Sequence, residues 1–462
     1  MVHKYTMFGY NIAIDIESGS VHVLSDTAYN MLGYLENLAD TPGFTGFPAE
    51  CPVDIRYHLA KFDGSDINGA YSELVSLHED KLLFAEPENI ELEYAGVVKA
   101  LCLNIAHDCN MACEYCFAGK GGYGLDDKLT GEKFMSEETG LRAVEFLMQN
   151  SGERKNLEVD FFGGEPLLNF DIIKNIVLKT RGLEKIYNKN VRFTLTTNGT
   201  LLNDDIIDFI NEYISNVVLS LDGLPETNDN ARKYNGGAGV YSDIVPPYQK
   251  LVSRRGPKDY YIRGTFTRKN LNFSRDIIHM ADLGFKNISV EPVVLDESDE
   301  YAVRREDLPV IFKEYEILAR EIIKRERRGS GQFNFFHFNI NLDEGPCVYK
   351  RAKGCGAGSE YLAVTPEGDI YPCHQFVGGS DFKLGNVNIG IDAGDKPRYF
   401  FENNIILNKA CKSCWVKYFC GGGCAANNHK FNRDIYEPYE IACELEKKRV
   451  ECAIAVQAVL SV

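Results

Sequence analysis

Three thiols on one short stretch are the most chemically specific feature of the chain. Cys109, Cys113 and Cys116 stand in CNMACEYC, a CxxxCxxC spacing. Three thiolates on one loop can ligate three irons of a cubane cluster and leave the fourth iron open to a small molecule. A zinc knuckle is the competing reading, but a structural zinc site is closed by four ligands. No further Cys or His stands at a regular offset, and His107 is the single nearby imidazole.

Other polar residues fall at intervals downstream. FFGGEP contains Gly163, Gly164 and Glu165, TTNG contains Thr197 and Asn198, SLDG contains Ser220 and Asp222, and Arg232 follows. Paired glycines let backbone approach a ligand closely, although Gly-Gly before Pro166 also reads as a turn. Arginine offers a planar fork that grips a carboxylate through two bonds, with a surface ion pair as the plainer alternative. Thr197, Asn198, Arg263 and Glu291 are weaker candidates, since polar residues at strand ends also cap helices.

Positioning these groups requires strands that end beside them. Apolar runs at 100–106, 157–162, 191–197, 216–221, 260–267 and 287–292 alternate with helical patterns, as in a parallel sheet with crossover helices. Six such units predict an α/β partial TIM barrel, in which chemistry gathers at the C-terminal strand ends. Those ends carry the cysteine loop, GGEP, TTNG, SLDG, RGTFT and VEPV.

With these motifs in place, residues 96–330 resemble the radical S-adenosylmethionine superfamily, whose cysteine loop carries an aromatic residue before its last thiol, here Tyr115. The resemblance implies that the open iron binds the amine and carboxylate of S-adenosylmethionine and that electron transfer releases a 5'-deoxyadenosyl radical. It further implies that Gly163, Gly164 and Glu165 meet the methionine amino group. Ser220 and Asp222 resemble the ribose and carboxylate contacts of related maturases, and Arg232 matches the arginine that grips the carboxylate.

Most of the fourteen cysteines lie later in the chain. Cys355 and Cys373, the compound Cys411-x-x-Cys414, Cys420 and Cys424, and then Cys443 resemble the SPASM extension of peptide-modifying radical enzymes. Residue by residue, the resemblance gives one auxiliary cluster to Cys411, Cys414, Cys420 and Cys443 and another to Cys355, Cys373 and Cys424, making three 4Fe-4S clusters in all. Tyr361 stands near where a fully ligated relative has a further thiol. Cys347 could close that second site from upstream, and zinc remains an alternative occupant of both thiolate sites. Cys51, Cys102 and Cys452 fit no spacing and read as buried small hydrophobes.

The composition suits a soluble globular protein of two or three units, 44% hydrophobic and 25% charged. A net charge of -17 without a basic stripe argues against nucleic acid. The absence of a long apolar run argues against a membrane span, and a start without signal-peptide character argues for the cytoplasm. Cytosolic thiols are kept reduced, which favours cluster ligation over disulfides. Residues 1–95 predict strands over 5–15 and 20–24, a turn at Glu17-Ser18-Gly19 and helices over 27–38, 53–62 and 67–77, a winged-helix-like outline.

Such a domain resembles the recognition elements of ribosomal peptide pathways, with a structural cap on the barrel as the alternative. Together with the barrel and a SPASM domain at 331–462, it is similar to the maturases of SCIFF peptides. That likeness implies a cysteine-rich precursor whose leader binds the N-terminal domain, a thioether (sactionine) product, and an electron donor such as flavodoxin or ferredoxin. A sulfatase maturase forming formylglycine and a non-catalytic iron-sulfur electron carrier are the alternatives.

Overall fold

The computed structural model describes residues 1–87, 90–123, 132–342 and 352–461. Its first unit is a three-stranded antiparallel sheet of β1 (Val2–Met7), β2 (Tyr10–Asp15) and β3 (Val21–Leu24), followed by helices Asp26–Ala39, Val53–His58 and Gly64–Glu79. Ser25 caps the first helix through the Ala28 amide, and Asp63 caps the third through the Ser65 amide. The single strand expected over 5–15 is instead a hairpin. Its turn is Phe8-Gly9, both at positive φ (55° and 87°), the mirror-type turn that matches strand twist and is usually announced by Asn-Gly. Phenylalanine there hides the signal.

The large sheet contains β4 (Ala100–Ala106), β5 (Asn156–Gly163), β6 (Asn190–Thr197), β7 (Asn216–Ser220), β8 (Asp259–Phe266) and β9 (Asn287–Pro292), parallel and adjacent in chain order. A helix or helix pair precedes each new strand, which is how parallel neighbours are joined. The strand ranges agree with the sequence reading to within one residue. Along β5, β6 and β8 every second residue is buried, whereas β4 is buried throughout, as a strand covered on both faces must be. Phe161, Phe193, Leu195, Val217, Leu219 and Ile262 form the fully buried layer beneath the helices.

The sheet continues past the boundary expected near residue 330. Beyond β9 it adds β10 (Asn334–Phe335). On the other edge β4 pairs in parallel with β11 (Tyr361–Val364), followed by β12 (Asp369–Tyr371), β13 (Gly385–Asn386) and β14 (Gly390–Ile391), eleven strands in one order among the described residues. The cysteine-rich segment is therefore hydrogen-bonded directly to the strand that launches the Cys109 loop. The chain closes with the helix Glu440–Ser461, which packs along the helix Leu308–Arg328. Among the described residues no helix is long and apolar enough to cross a membrane.

Candidate active site

The strand ends do more to each other than to open space. The Gly164 amide donates to the Ala106 carbonyl at 2.7 Å, and the Glu165 amide to the Asp108 carbonyl at 2.9 Å. A Cβ on Gly163 would lie 2.3 Å from the Ala106 oxygen, and one on Gly164 would lie 2.1 Å from the Asp108 oxygen. These glycines are thus required first by the root of the cysteine loop, which a side chain would push away. Glu165 is 1% exposed and both its oxygens are engaged: Oε1 accepts from the Leu167 amide (3.0 Å) and the Thr197 hydroxyl (2.7 Å), and Oε2 from the Asn198 amide (2.7 Å). Burial raises its carboxyl above the usual range, and these donors oppose the rise. Asn198 reaches back to the loop, donating to the Asn110 side chain at 2.9 Å and lying 3.8 Å from the Cys109 sulfur. GGEP and TTNG therefore form one knot under the cysteine loop.

A second knot joins Tyr115, Asp222 and Arg232. The Tyr115 hydroxyl donates to Asp222 Oδ2 at 2.6 Å and accepts from Arg232 Nη1 at 3.1 Å. The other Asp222 oxygen accepts the Thr265 amide at 2.9 Å. Asp222 therefore stands behind the site, with its carboxyl raised by burial and drawn back by Arg232. Arg232 and Ser220 face the cavity itself. The cavity, of about 560 Å³, opens among the C-terminal strand ends and is bordered by Cys109, Cys113 and Cys116, by the Gly163–Pro166 turn, and by Arg263 and Glu291.

Two further cysteine groups gather beside it. Cys373 and Cys424 lie within electrostatic reach of each other and of Cys355. Cys411, Cys414, Cys420 and Cys443 form a linked set in the same sense. Burial raises the thiols of Cys109 and Cys420 to about 12 and that of Cys411 to about 11. Such thiols give up their protons only to bound metal. Among the described residues no three His, Cys, Asp or Glu side chains converge tightly enough for one metal ion. The looser grouping suits a multi-iron body, whose thiolates sit on separate irons.

Cys347 lies outside the described residues. Tyr361 points its hydroxyl to Asp160 and the Cys102 thiol, and burial carries the Asp160 carboxyl up to about 7. Cys51, Cys102 and Cys452 are buried at 5%, 1% and 0% exposure.

Several cavity residues escaped the sequence reading. His374 and Gln375 follow Cys373 into the wall, with the His374 ring 4.9 Å from Phe162 and 5.5 Å from Phe117, and Lys430 enters from the helix Ala425–Asn432. Burial and the neighbouring Arg263 hold His374 down at about 4. Adjacency to a ligand-type cysteine was the only available signal for the first two.

The residues present fit a cluster with S-adenosylmethionine. Three thiols border the cavity together, the glycine turn keeps side chains off their loop, and the buried Arg232 Nε has no partner among the described residues.

Comparison with known proteins agrees with this geometry. The radical SAM superfamily profile matches residues 103–301, and the SPASM iron-sulfur cluster-binding domain matches residues 355–415. The radical SAM cyclopropyl synthase TigE of Paramaledivibacter caminithermalis is 21% identical over 93% of this chain and 89% of its own. The serine-type anaerobic sulfatase-maturating enzyme of Klebsiella aerogenes is 22% identical over 69% and 77%. The crystal structure of Streptococcus suis SuiB bound to precursor peptide SuiA superposes with a TM-score of 0.51 at 18% identity, covering 93% of this chain and 96% of that one. The chain carries a radical S-adenosylmethionine domain joined to a SPASM iron-sulfur domain, and it is a radical S-adenosylmethionine enzyme.

Proposed function

We propose that this enzyme matures a cysteine-rich, ribosomally made precursor peptide by joining a cysteine sulfur to a carbon of another residue in a thioether. The observation that carries the reading is the N-terminal sheet. β3 pairs only with β2 among the described strands, so its outer edge presents amides and carbonyls to an added strand, the means by which extended peptides dock on sheets. A match over 93% of the chain has to include most of this region, and SuiB was solved with its precursor peptide bound.

In the cavity, Cys109, Cys113 and Cys116 would hold the reactive cluster, Arg232 the methionine carboxylate, and Ser220 the ribose. When bound, the cluster and S-adenosylmethionine supply a carbon-centred radical that removes one hydrogen atom from the substrate. Glu165, Thr197 and Asn198 keep the cysteine loop in register, and Asp222 fixes Tyr115 and, through it, Arg232. Forming the sulfur-carbon bond further requires that the thiol lose its proton and that one electron leave. Gln375 and Ala426, beside Cys373 and Cys424, line the same cavity, so a cluster held by Cys355, Cys373 and Cys424 would lie at its wall and would supply an acceptor for that electron. A ferredoxin or flavodoxin would deliver the initiating electron.

Co-expression with a cysteine-rich precursor and mass spectrometry, with and without thiol alkylation, tests the reading. A thioether removes two hydrogens and one alkylatable thiol per link. Formylglycine made from serine and a cyclopropane each also remove two hydrogens but spare the thiols, and either result would replace the thioether assignment.

A further inference from the structure

One face of the N-terminal sheet is already occupied. Along β2, Ala13 packs among that domain's own helices, whereas Ile12 and Ile14, followed by Ile16, join the core shared with the large sheet and the helix Glu440–Ser461, each no more than 2% exposed. At the rim of this contact the β2–β3 turn delivers a carboxylate. Asp15, fully buried, accepts the Glu17 amide (3.1 Å) and the Ser18 amide (2.9 Å) with one oxygen and the Ala85 amide (3.2 Å) with the other. That network sets the direction of Glu17, whose side chain is 7% exposed. One Glu17 oxygen takes Lys417 Nζ at 2.7 Å and the other the Tyr418 hydroxyl at 2.7 Å.

Lys417 and Tyr418 lie between Cys414 and Cys420. Alongside them, His3 of β1 stacks on Trp415 with ring centres 3.8 Å apart and planes 5° apart. His3 Nε2 also lies 3.0 Å from Glu451, whose carbonyl accepts the Tyr5 hydroxyl at 2.8 Å. Glu451 sits on the helix that carries Cys443. Both segments bearing Cys414, Cys420 and Cys443 are therefore braced by β1, β2 and their turns.

We infer that Glu17 is a positioning residue for the site formed by Cys411, Cys414, Cys420 and Cys443, which is incomplete without the N-terminal sheet. The inference rests on reading those cysteines as cluster ligands. Burying a carboxylate and an ammonium costs desolvation that a plain interface avoids with apolar groups. Here the pair holds two consecutive residues of the ligand loop through separate oxygens. Among the described residues, the Lys417 ammonium has, apart from Glu17, only the Lys412 carbonyl, at 3.5 Å, as a hydrogen-bond acceptor. The same turn runs directly into β3, so the proposed leader edge and the ligand loop share one hairpin.

The test uses full-length reconstituted enzyme and two readouts: iron per chain, and emission of Trp415, the only tryptophan in the chain. In Glu17→Gln, iron falls by one cluster, about four atoms, and Trp415 emission rises at least twofold as the loop leaves His3. Tyr418→Phe, which removes one of the two bonds, changes the emission in the same direction by less. The charge swap Glu17→Lys with Lys417→Glu restores both readouts. Unchanged iron and emission in Glu17→Gln, iron lost evenly from all sites, or a swap that restores neither readout would overturn the inference. Replacing Cys411, Cys414, Cys420 and Cys443 together with Ala provides the reference. If it removes one cluster while Glu17→Gln removes none, the positioning role fails; if the fourfold variant also removes none, the cluster reading of the four cysteines fails.

Discussion

The Tyr115–Asp222–Arg232 knot allows a prediction whose sign differs between its two ends. Asp222 Oδ2 and Arg232 Nη1 bond the same hydroxyl, at 2.6 and 3.1 Å, so the two charges stand no farther apart than those bonds laid end to end. At that separation and an effective dielectric of about 20 their attraction is about 3 kcal/mol. Asp222→Asn removes the attraction while keeping the shape and an acceptor for the Thr265 amide. The cofactor-free enzyme should lose about 2–3 kcal/mol, because Arg232 is then a buried cation deprived of one carboxylate partner. With Arg232 as the proposed holder of the S-adenosylmethionine carboxylate, the cofactor would return a negative charge to that cation, so cofactor-induced stabilisation should be larger in Asp222→Asn than in wild type.

Arg232→Gln removes a charge-assisted bond worth roughly 1.5–3 kcal/mol. Cofactor affinity should then fall by about ten- to a hundredfold, with little stabilisation on adding cofactor. Anaerobic thermal unfolding of the reconstituted proteins with and without S-adenosylmethionine reads both effects. Equal cofactor-induced shifts in the two variants, or wild-type affinity in Arg232→Gln, would refute the assignment of Arg232 to the carboxylate and of Asp222 to its support.

Three further outcomes are expected. Replacing Cys109, Cys113 and Cys116 together with Ala should abolish 5'-deoxyadenosine release, measured chromatographically, while iron analysis still finds two clusters per chain. Gly164→Ala should displace the cysteine loop, since its Cβ would lie 2.1 Å from the Asp108 oxygen; the reactive cluster is lost by iron count while both auxiliary clusters remain. Asp160→Asn should stabilise the fold at neutral pH. Burial raises the Asp160 carboxyl from 3.8 to about 7, so the folded state prefers the protonated form, and its contribution, full below about pH 4, is lost as pH rises towards 7. Allowing for partial exposure, the variant should gain about 2 kcal/mol at pH 8 and nothing at pH 3.5 in denaturant titrations.

The parallel strands were legible because each is a short apolar run, with β5, β6 and β7 running out into Gly, Asn-Gly or Asp-Gly, and a strand buried by helices needs little more than that pattern. The cysteine spacings were legible for a related reason: ligands on one loop are local in sequence. The N-terminal hairpin was not, because apolar residues continue through Phe8-Gly9 with only a change of phase, from Tyr5 and Met7 to Phe8, Tyr10, Ile12 and Ile14, and nothing in phenylalanine announces a positive φ. Asp222 was legible as a site residue but not in its place, since only the fold shows both its oxygens turned to Tyr115 and Thr265.

What the sequence hid most completely is the joining of its two ends. The first ninety or so residues hold no cluster motif and so invite reading as a detachable recognition module. In the fold, Glu17 bonds Lys417 and Tyr418, His3 stacks on the only tryptophan, and Ile12, Ile14 and Ile16 are sealed into the core of the catalytic body. No spacing rule connects residues four hundred positions apart, and an acidic residue in a tight turn looks like any solvated loop residue until its partners are known. The lack of separation has a functional consequence. A leader strand added to β3, as proposed, would extend a sheet that also braces the segments of Cys414, Cys420 and Cys443, so the proposed peptide edge and one proposed auxiliary-cluster site share one packed unit. Truncating the N-terminal region would therefore remove part of that unit as well as the peptide-binding edge. Point changes along the β3 edge, which leave Glu17 and the buried isoleucines in place, are the perturbations that isolate recognition from cluster support.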